Sequence, residues 1–428
     1  MAKEYYLVSD LHFGGDGGLQ ICDYTEEFIG FLKKLAAVPE ESELILAGDT
    51  FGFWELTDVQ GVEQLDEIVK HHSEIFEQIR LTGERVKITM MVGNHDYDLA
   101  CYPEFAVKLK NYNINLDTSF ALVREIGGRK IWVEHGQQLD PYNAATEYGN
   151  IHALPSGYFI TETFVSGASK YSVFGSRDWL KDIRSVDVRQ IPDWLISNYF
   201  YHEMNRFLRL LVLPFLFLLT VTALALFAQS LKYVGMFDVN ILLENSLTKT
   251  LGLYGDILRW IIAGSAAVWL FILAVTIPLY LIYRDIRGKL LRMQNYPSFK
   301  SAPTDEANNI YLNRAHAVFE ENPDVCAYVF GHTHDAFLIK EKGRVIINTG
   351  TWLKILRRVA ARGSLLPAVY YPTFRLNYFK IYTKDERIIV KYVQIPKTPT
   401  EKLTLLQRFL IFGRKPAAGE PIPTQTIL

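Results

Sequence analysis

Cysteine is scarce in this sequence, with three residues in 428 and no Cys-x-x-Cys pair. This scarcity excludes a disulfide framework and a thiolate zinc site, and it indicates a reducing compartment. An excess of positive charge is also missing, because 45 Lys and Arg stand against 47 Asp and Glu, for a net charge of -2. A protein that binds nucleic acid through a basic surface needs such an excess, so we expect no nucleic-acid partner.

The N-terminus lacks the pattern of a signal peptide. It begins MAKEYYLVSD, which is typical of a β-strand, whereas a signal needs a basic stretch followed by an apolar run. The sequence also lacks a motif for a serine or cysteine nucleophile. We therefore expect a cytoplasmic N-terminal domain whose chemistry proceeds without a covalent enzyme intermediate.

Two long uncharged runs extend from Leu210 to Leu231 and from Trp260 to Tyr283. Each is long enough, as a helix, to cross a hydrocarbon core about 30 Å thick. Buried core helices are the alternative, but core helices of this length usually carry a polar face. We predict two transmembrane helices joined by an external loop over residues 207–284, with the lipid bilayer as a partner.

Cationic residues flank this segment and predict its orientation. They are Arg206, Arg209, Arg284, Arg287, Lys289 and Arg292. The positive-inside rule then places the catalytic domain and both termini in the cytoplasm, which makes this a two-span protein of the cytoplasmic membrane. Small residues from Ala263 to Ala267 allow close helix packing, either within the chain or in a homodimer.

Strand-like and helix-like patterns alternate on both sides of the predicted spans. They fill residues 1–150 and return over residues 285–398, which predicts one α/β domain of mixed sheets interrupted by the insertion. Residues 151–206 are rich in aromatics and mixed charges, and they fit interfacial helices or a soluble helical cap equally well. Residues 399–428 form a basic, apolar tail.

Side chains that bind metals follow almost every predicted strand. They are Asp10, His12, Asp49, Asn94, His95, Asp96, His135, His332 and His334. Ligands of open α/β sheets bind beyond the carboxyl ends of the strands, so these side chains can converge. Imidazoles with carboxylates suit Mn, Fe or Zn better than Ca, and one carboxylate can bridge two ions about 3.5–4 Å apart. Singly each residue would more often be a turn or core residue, but five such motifs in order predict one dinuclear site.

The motifs DxH (10–12), GD (48–49), GNHD (93–96), HG (135–136) and GHTH (331–334) resemble those of the calcineurin-like metallophosphoesterase superfamily. The resemblance implies a four-layer α/β sandwich and two divalent ions, with Mn favoured. It implies one ion held by Asp10, His12, Asp49 and His334, and another held by Asp49, Asn94, His135 and His332. It further implies that His95 contacts the scissile phosphate and protonates the leaving oxygen, while Asp96 orients its ring.

Two segments of the sequence narrow the class of substrate. GDTFGFWE (48–55) and HGQQLDPYN (135–143) are similar to the branch that contains UDP-2,3-diacylglucosamine hydrolases, although GNHD replaces the GNRD of that branch and the spans replace its helical lid. By analogy, Asp140 and Asn143 line the substrate pocket. We expect a metal-held hydroxide to hydrolyse a phosphoester or pyrophosphate bond of a phosphorylated or nucleotide-linked lipid at the cytoplasmic face. A soluble nucleotide or phosphoprotein substrate is the alternative, and a non-catalytic scaffold is a third.

Overall fold

A computed structural model describes residues 4–14, 22–38, 41–56, 58–162, 190–238, 249–262, 304–362, 366–416 and 421–428, with isolated positions between 182 and 284. The chain divides into two compact units. The first comprises Met1–Glu203 and Ser301–Leu428, and the second comprises Met204–Lys300.

The larger sheet of the first unit has seven strands. In spatial order they are β16 (Gln425–Ile427), β15 (Arg387–Gln394), β14 (Asn377–Lys384), β1 (Glu4–Val8), β3 (Ser42–Ala47), β5 (Lys87–Met91) and β6 (Ile114–Asp117). Strands β1, β3, β5 and β6 run parallel, whereas β14 pairs antiparallel with β1. The parallel strands are apolar runs because both of their faces are covered.

The second sheet of this unit has five strands. In spatial order they are β10 (Phe337–Glu341), β11 (Arg344–Asn348), β9 (Val325–Phe330), β8 (Arg129–Glu134) and β7 (Ala121–Ile126). Strands β8, β9 and β11 run parallel. The predicted hairpin is confirmed, since β7 and β8 pair antiparallel around Gly127 and Gly128, which both have positive φ. Two short pairs complete the strands: β2 (Phe13–Gly14) with β4 (Phe51–Gly52), and β12 (Ile355–Val359) with β13 (Val369–Thr373).

Helices cover the outer faces of the two sheets. They are α1 (Thr25–Leu35), α2 (Glu63–His71), α3 (Ser73–Gly83) and α4 (Glu104–Lys110) on the first sheet and α8 (Thr304–Glu321) on the second. Alternation along β1 shows the layering: Leu7 packs between the sheets with Val329, whereas Tyr6 and Val8 pack under the helices with Phe28. The predicted α/β fold of two mixed sheets flanked by helices is therefore confirmed. The remaining helices of this unit are α5 (Ser156–Ile160), α6 (Ile191–Asn198) and α9 (Leu405–Ile411).

The second unit contains helix α7 (Arg206–Tyr233), which includes the whole of the first predicted span, Leu210 to Leu231. The side chain of Asn205 caps it by accepting a hydrogen bond from the N–H of Phe207. Residues 253–262 are also helical, and beyond them Trp269 donates its indole N–H to the carbonyl of Leu219 at 2.8 Å. A described part of the second predicted span therefore packs against the first.

Among the residues that the structure describes, no helix is both long enough and apolar enough to cross a membrane. Several residues of the second predicted span, and the side chains of residues 212, 213 and 216 in α7, lie outside the described part. The basic run at residues 285–300 and most of residues 163–189 in the predicted cap lie outside it as well. The two spans and the division into five segments therefore stay predictions.

Candidate metal centre

The carboxyl ends of five strands bring the predicted ligands together. Asp10 and His12 follow β1, Asp49 follows β3, Asn94 follows β5, His135 follows β8, and His332 and His334 follow β9. Parallel strands end at one edge of their sheet, so the loops from both sheets meet there. All seven residues except the last two are buried.

The backbone is strained at most of these positions. Positive φ angles occur at Asp10 (53°), His12 (49°), Asp49 (50°), His332 (67°) and His334 (60°). This left-handed region costs a residue other than glycine about 1–3 kcal/mol, and such strain clusters at functional sites. These positions follow strands β1, β3 and β9, so the strained backbone lies at the sheet edge where the ligands meet.

Two glycines of the motifs make room for carboxylates. A Cβ atom on Gly93 would overlap Oδ1 and the backbone nitrogen of Asp49. A Cβ atom on Gly331 would overlap Oγ of Ser9 and Oδ2 of Asp10. These two positions of the GNHD and GHTH motifs therefore require glycine for the close approach of a neighbouring loop.

One group of donor atoms comes from Asp10, His12 and His334. Their ligand atoms all lie within 4.8 Å of one another. Nε2 of His334 is 3.2 Å from Oδ1 of Asp10 and 3.3 Å from Nε2 of His12. The N–H of His332 also donates to Oδ2 of Asp10 at 3.1 Å, which fixes that carboxylate. Two imidazoles and a carboxylate in this arrangement fit a divalent transition metal.

A second group comes from Asp49, His135 and His332, again within 4.8 Å. Oδ1 of Asn94 lies 3.3 Å from Nε2 of His135 and 2.9 Å from Nδ1 of His332, so its amide belongs to the same group. Nδ1 of His135 lies 2.9 Å from the carbonyl oxygen of Ala47. A donor role for Nδ1 leaves Nε2 directed at the centre, as in most metal-binding histidines.

Asp49 links the two groups. Its Oδ2 lies 3.2 Å from Nε2 of His135 and 3.7 Å from Nε2 of His12, which belong to different groups. Its Oδ1 accepts the backbone N–H of His95 at 2.8 Å. One oxygen is therefore anchored to the backbone and the other faces both groups, as a bridging carboxylate must.

The electrostatics of the site favour a cation. Burial lowers the pKa of His12 to about 3, helped by the nearby His95, which keeps its imidazole in the neutral form that binds metals. Burial also acts to lower the pKa of His135, but Asp49 and Asp10 outweigh it and raise that pKa to about 10. The carboxylates therefore attract positive charge to this position, and the donor set fits two divalent ions.

The surroundings of His95 differ from the prediction in one respect. Asp96 was expected to orient the His95 ring, but its Oδ1 accepts the N–H of Gly93 at 2.6 Å, and its Oδ2 accepts those of Thr50 and Phe51. The Asp96 carboxylate thus ties two ligand loops together, because both of its oxygens accept hydrogen bonds from their backbone amides. Burial and the neighbouring Asp49 raise the pKa of Asp96 to about 7.

Glu55 faces the His95 ring instead, and sequence reasoning missed it. Its Oε1 is 3.0 Å from Nδ1 of His95, and it is 3% exposed. Together with His12 the pair forms a third group of possible metal ligands, which overlaps the first at His12. The segment GDTFGFWE, which is similar to the hydrolase branch, includes Glu55, but the sequence assigned this residue no role.

Asp140 and Asn143, predicted to line the substrate pocket, lie behind two ligands. Oδ2 of Asp140 is 3.1 Å from Nε2 of His332. Asn143 donates to Oδ2 of Asp140 at 2.7 Å and accepts from the side-chain amide of Asn94 at 3.3 Å. These contacts position His332 and Asn94, and they are the same kind of support that carboxylates give to metal-binding histidines.

The calcineurin-like phosphoesterase family model matches residues 5–215 of the chain. A search of curated proteins gave no significant match. The solved structures that the fold resembles include a dimetal phosphatase from Danio rerio, at 10% identity and a TM-score of 0.32, covering 91% of this chain and 95% of the other. Another is a predicted phosphoesterase from Streptococcus pneumoniae, at 10% identity and a TM-score of 0.27, covering 92% and 90%. Likenesses this low say nothing about the substrate.

The family match and the clustered histidines and aspartates agree on one class of protein. The chain belongs to the calcineurin-like metallophosphoesterase superfamily. It is a metal-dependent phosphoester hydrolase with a site suited to two metal ions.

Proposed function

We propose that the chain hydrolyses a phosphoester or pyrophosphate bond of a membrane lipid or lipid-linked nucleotide at the two-metal site. The observation that carries the hydrolytic part is Oδ2 of Asp49, which faces His12 of one donor group and His135 of the other. Two bound divalent ions, with manganese favoured, would neutralise phosphoryl oxygens and lower the pKa of a coordinated water to about 7.

His95 is the proton donor in this proposal. Its side chain is partly exposed beside the buried ligands, and the centroid of its ring lies 4.7 Å from the centroid of the His12 ring. Glu55 at Nδ1 orients the ring, so that Nε2 can point to a phosphate at the centre. A histidine in this position contacts the phosphate and gives a proton to the departing oxygen.

The proposal of a lipid substrate rests on the second unit. Its helix α7 exposes many large apolar side chains, among them Phe207 (68%), Leu210 (74%), Phe217 (72%) and Phe227 (61%). Proteins that stay in water rarely leave so much apolar surface uncovered. A bilayer at the cytoplasmic face would cover this surface and would hold the enzyme beside substrates confined to the membrane.

A hydrolysis assay on detergent-purified protein with Mn²⁺, Zn²⁺ or Fe²⁺ tests both parts. The substrates are UDP-2,3-diacylglucosamine, a phosphatidyl phosphomonoester and the soluble ester bis-p-nitrophenyl phosphate, with Asp49→Ala as the blank. We expect faster turnover on a lipid than on the soluble ester. Turnover on the soluble ester alone would contradict the lipid assignment and favour a soluble nucleotide or phosphoprotein. No turnover on any ester would contradict the whole proposal.

A further inference from the structure

A cavity of about 180 Å³ lies beside Trp54, whose ring packs on the ring of His95. Aromatic side chains form much of its wall, including Trp54, Tyr102 and Tyr158. Trp54 contacts both His95 and the wall of the cavity. Its ring packs on His95, with the ring centroids 4.6 Å apart, and packs edge to face with Tyr158, with the centroids 5.8 Å apart. A group bound here would therefore lie beside the indole ring that packs on the proposed proton donor.

Two buried polar atoms of the lining residues lack hydrogen-bond partners within the described part of the chain. They are Nε1 of Trp54, which is 2% exposed, and Oε1 of Gln64, which is 5% exposed. The orientation of the Gln64 amide is fixed, because its Nε2 donates to the carbonyls of Phe53 and Leu56 at 2.9 and 3.0 Å. A buried acceptor without a hydrogen-bond partner destabilises the folded protein, so a ligand that donates to Oε1 is favoured.

The charged residues that line the cavity are acidic. Asp98 and Glu162 line it, and its described lining contains no lysine or arginine. Burial raises the pKa of Asp98 to about 6, as expected for a carboxylate that lacks a cationic partner. Aromatic faces beside two carboxylates form a surface that attracts a cation.

We propose that this cavity binds a primary ammonium group on the leaving alcohol of the substrate. The proposal rests on the hydrolytic function proposed above and names its substrate class: a phosphoester of an amino alcohol. An ammonium group donates three hydrogen bonds. The cavity offers it Oε1 of Gln64, which lacks a partner among the described residues, and the carboxylates of Asp98 and Glu162, of which Glu162 also bonds to Tyr158. The aromatic rings stabilise the same positive charge.

The reaction follows from this placement. The oxygen of water forms a new bond to phosphorus, and the bond between phosphorus and the alcohol oxygen breaks. That oxygen takes a proton from His95. One proton of the attacking water passes through solvent to restore the protonated His95, and the other stays on the phosphate or passes to solvent. The amino alcohol then leaves with its ammonium group unchanged. The bound ammonium orients the leaving oxygen towards His95.

Matched pairs of esters test the proposal on the full chain loaded with Mn²⁺. Each pair differs only in an ammonium or a methyl group: O-phosphoethanolamine with propyl phosphate, and glycerophosphoethanolamine with glycerophosphopropanol. Phosphatidylethanolamine in mixed micelles, paired with phosphatidylpropanol, distinguishes a lipid headgroup from a soluble source. We expect kcat/KM to be at least about tenfold higher for the ammonium member of the hydrolysed pair, which corresponds to about 1.4 kcal/mol.

The Asp98→Asn variant should reduce this ratio to about twofold or less, whereas Asp66→Asn should leave it unchanged. Asp66 is a matched control because it is exposed and pairs with Lys108 at the surface. If Asp98→Asn does not fold, inhibition of wild-type hydrolysis of bis-p-nitrophenyl phosphate provides a second test, with propylammonium inhibiting and propanol not. Hydrolysis without an ammonium preference, or without this inhibition, would overturn the cavity proposal alone. Absence of all hydrolysis would instead overturn the proposed function.

Discussion

The metal centre and the cavity beside Trp54, termed the metal side and the cavity side, differ in how their side chains are held. On the metal side, carboxylates and imidazoles lie within 4.8 Å of one another on strained turns at the ends of strands. On the cavity side, Trp54 and Gln64 are buried with polar atoms that lack partners among the described residues. The first side is fixed by the sheets and suits the chemistry common to the superfamily. The second side comes from a turn and helix α2, where side chains can change without moving the metal ligands.

The largest effect should come from the bridging position. We expect Asp49→Ala to lower kcat/KM by at least about 10³-fold on every substrate, because both donor groups lose their shared carboxylate. Steady-state assays with metal analysis measure activity and bound metal together. Asp66→Ala, at an exposed position, is the control. Retained activity with two bound ions would contradict the role of Asp49.

Gly93→Ala should disturb the metal centre by displacing the backbone next to Asp49. The new Cβ would overlap Oδ1 of Asp49, so we expect metal affinity and kcat/KM to fall about 10- to 100-fold. The comparison is Gly30→Ala, because a Cβ on Gly30 meets no atom within 4 Å. Titration of the metal-free protein with Mn²⁺ would measure the affinity. An unchanged affinity in Gly93→Ala would show that the loop can yield without moving Asp49.

Glu55→Gln tests the boundary between the two sides. Glu55 orients the His95 ring, and glutamine has nearly the same shape as glutamate. We therefore expect kcat to fall about tenfold while KM changes little. Kinetics on an ester with a poor leaving group measure the effect. The loss should shrink on a p-nitrophenyl ester, whose leaving oxygen needs no proton. An equal loss on both esters would indicate a structural or metal-binding role for Glu55.

The smallest effect concerns stability on the cavity side. Burial raises the pKa of Asp98 from its usual 3.8 to about 6, so the folded state binds this proton more tightly than the unfolded state. The protonated Asp98 carboxyl therefore makes its full contribution to folding stability below pH 3.8, and this contribution is lost as the pH rises through about 6. Asp98→Asn should therefore be more stable than wild type near pH 8, by at most about 3 kcal/mol.

Thermal unfolding of both proteins at several pH values would measure this difference. The advantage of Asp98→Asn should shrink as the pH falls below about 6 and should vanish below 3.8, where the wild-type carboxyl becomes protonated in both states. Ligand-free protein is required, because a bound cation would stabilise the carboxylate. A difference that does not depend on pH would contradict the burial of an ionisable group at Asp98.

The sequence predicted the metal side well because that side follows from strand ends. The apolar runs before Asp10, Asp49, Asn94, His135 and His332 are strands of parallel order in the structure, so the position of each ligand follows from a local pattern. The hairpin at Gly127 and Gly128 was readable for the same reason. Local periodicity and topology were sufficient here.

The sequence did not predict contacts that depend on side-chain packing between distant segments. Glu55 reaches His95 from a neighbouring loop, and Asp96 accepts from the amides of Thr50 and Phe51. Both residues lie in segments that the sequence analysis used, but the segments do not specify these contacts. The cavity combines Gln64 of α2 with Asp98 and Tyr158, which are distant in sequence. Such arrangements depend on which partner is nearest after folding, and a linear pattern does not record that distance.

The split order of the ligands along the chain has a consequence for biosynthesis. Five of the seven predicted ligands precede residue 204, whereas His332 and His334 follow residue 300. The ribosome must therefore translate the entire second unit before either donor group can be completed. A nascent chain that stops inside that unit holds no finished two-metal site, so hydrolysis begins only after the intervening segment has left the ribosome.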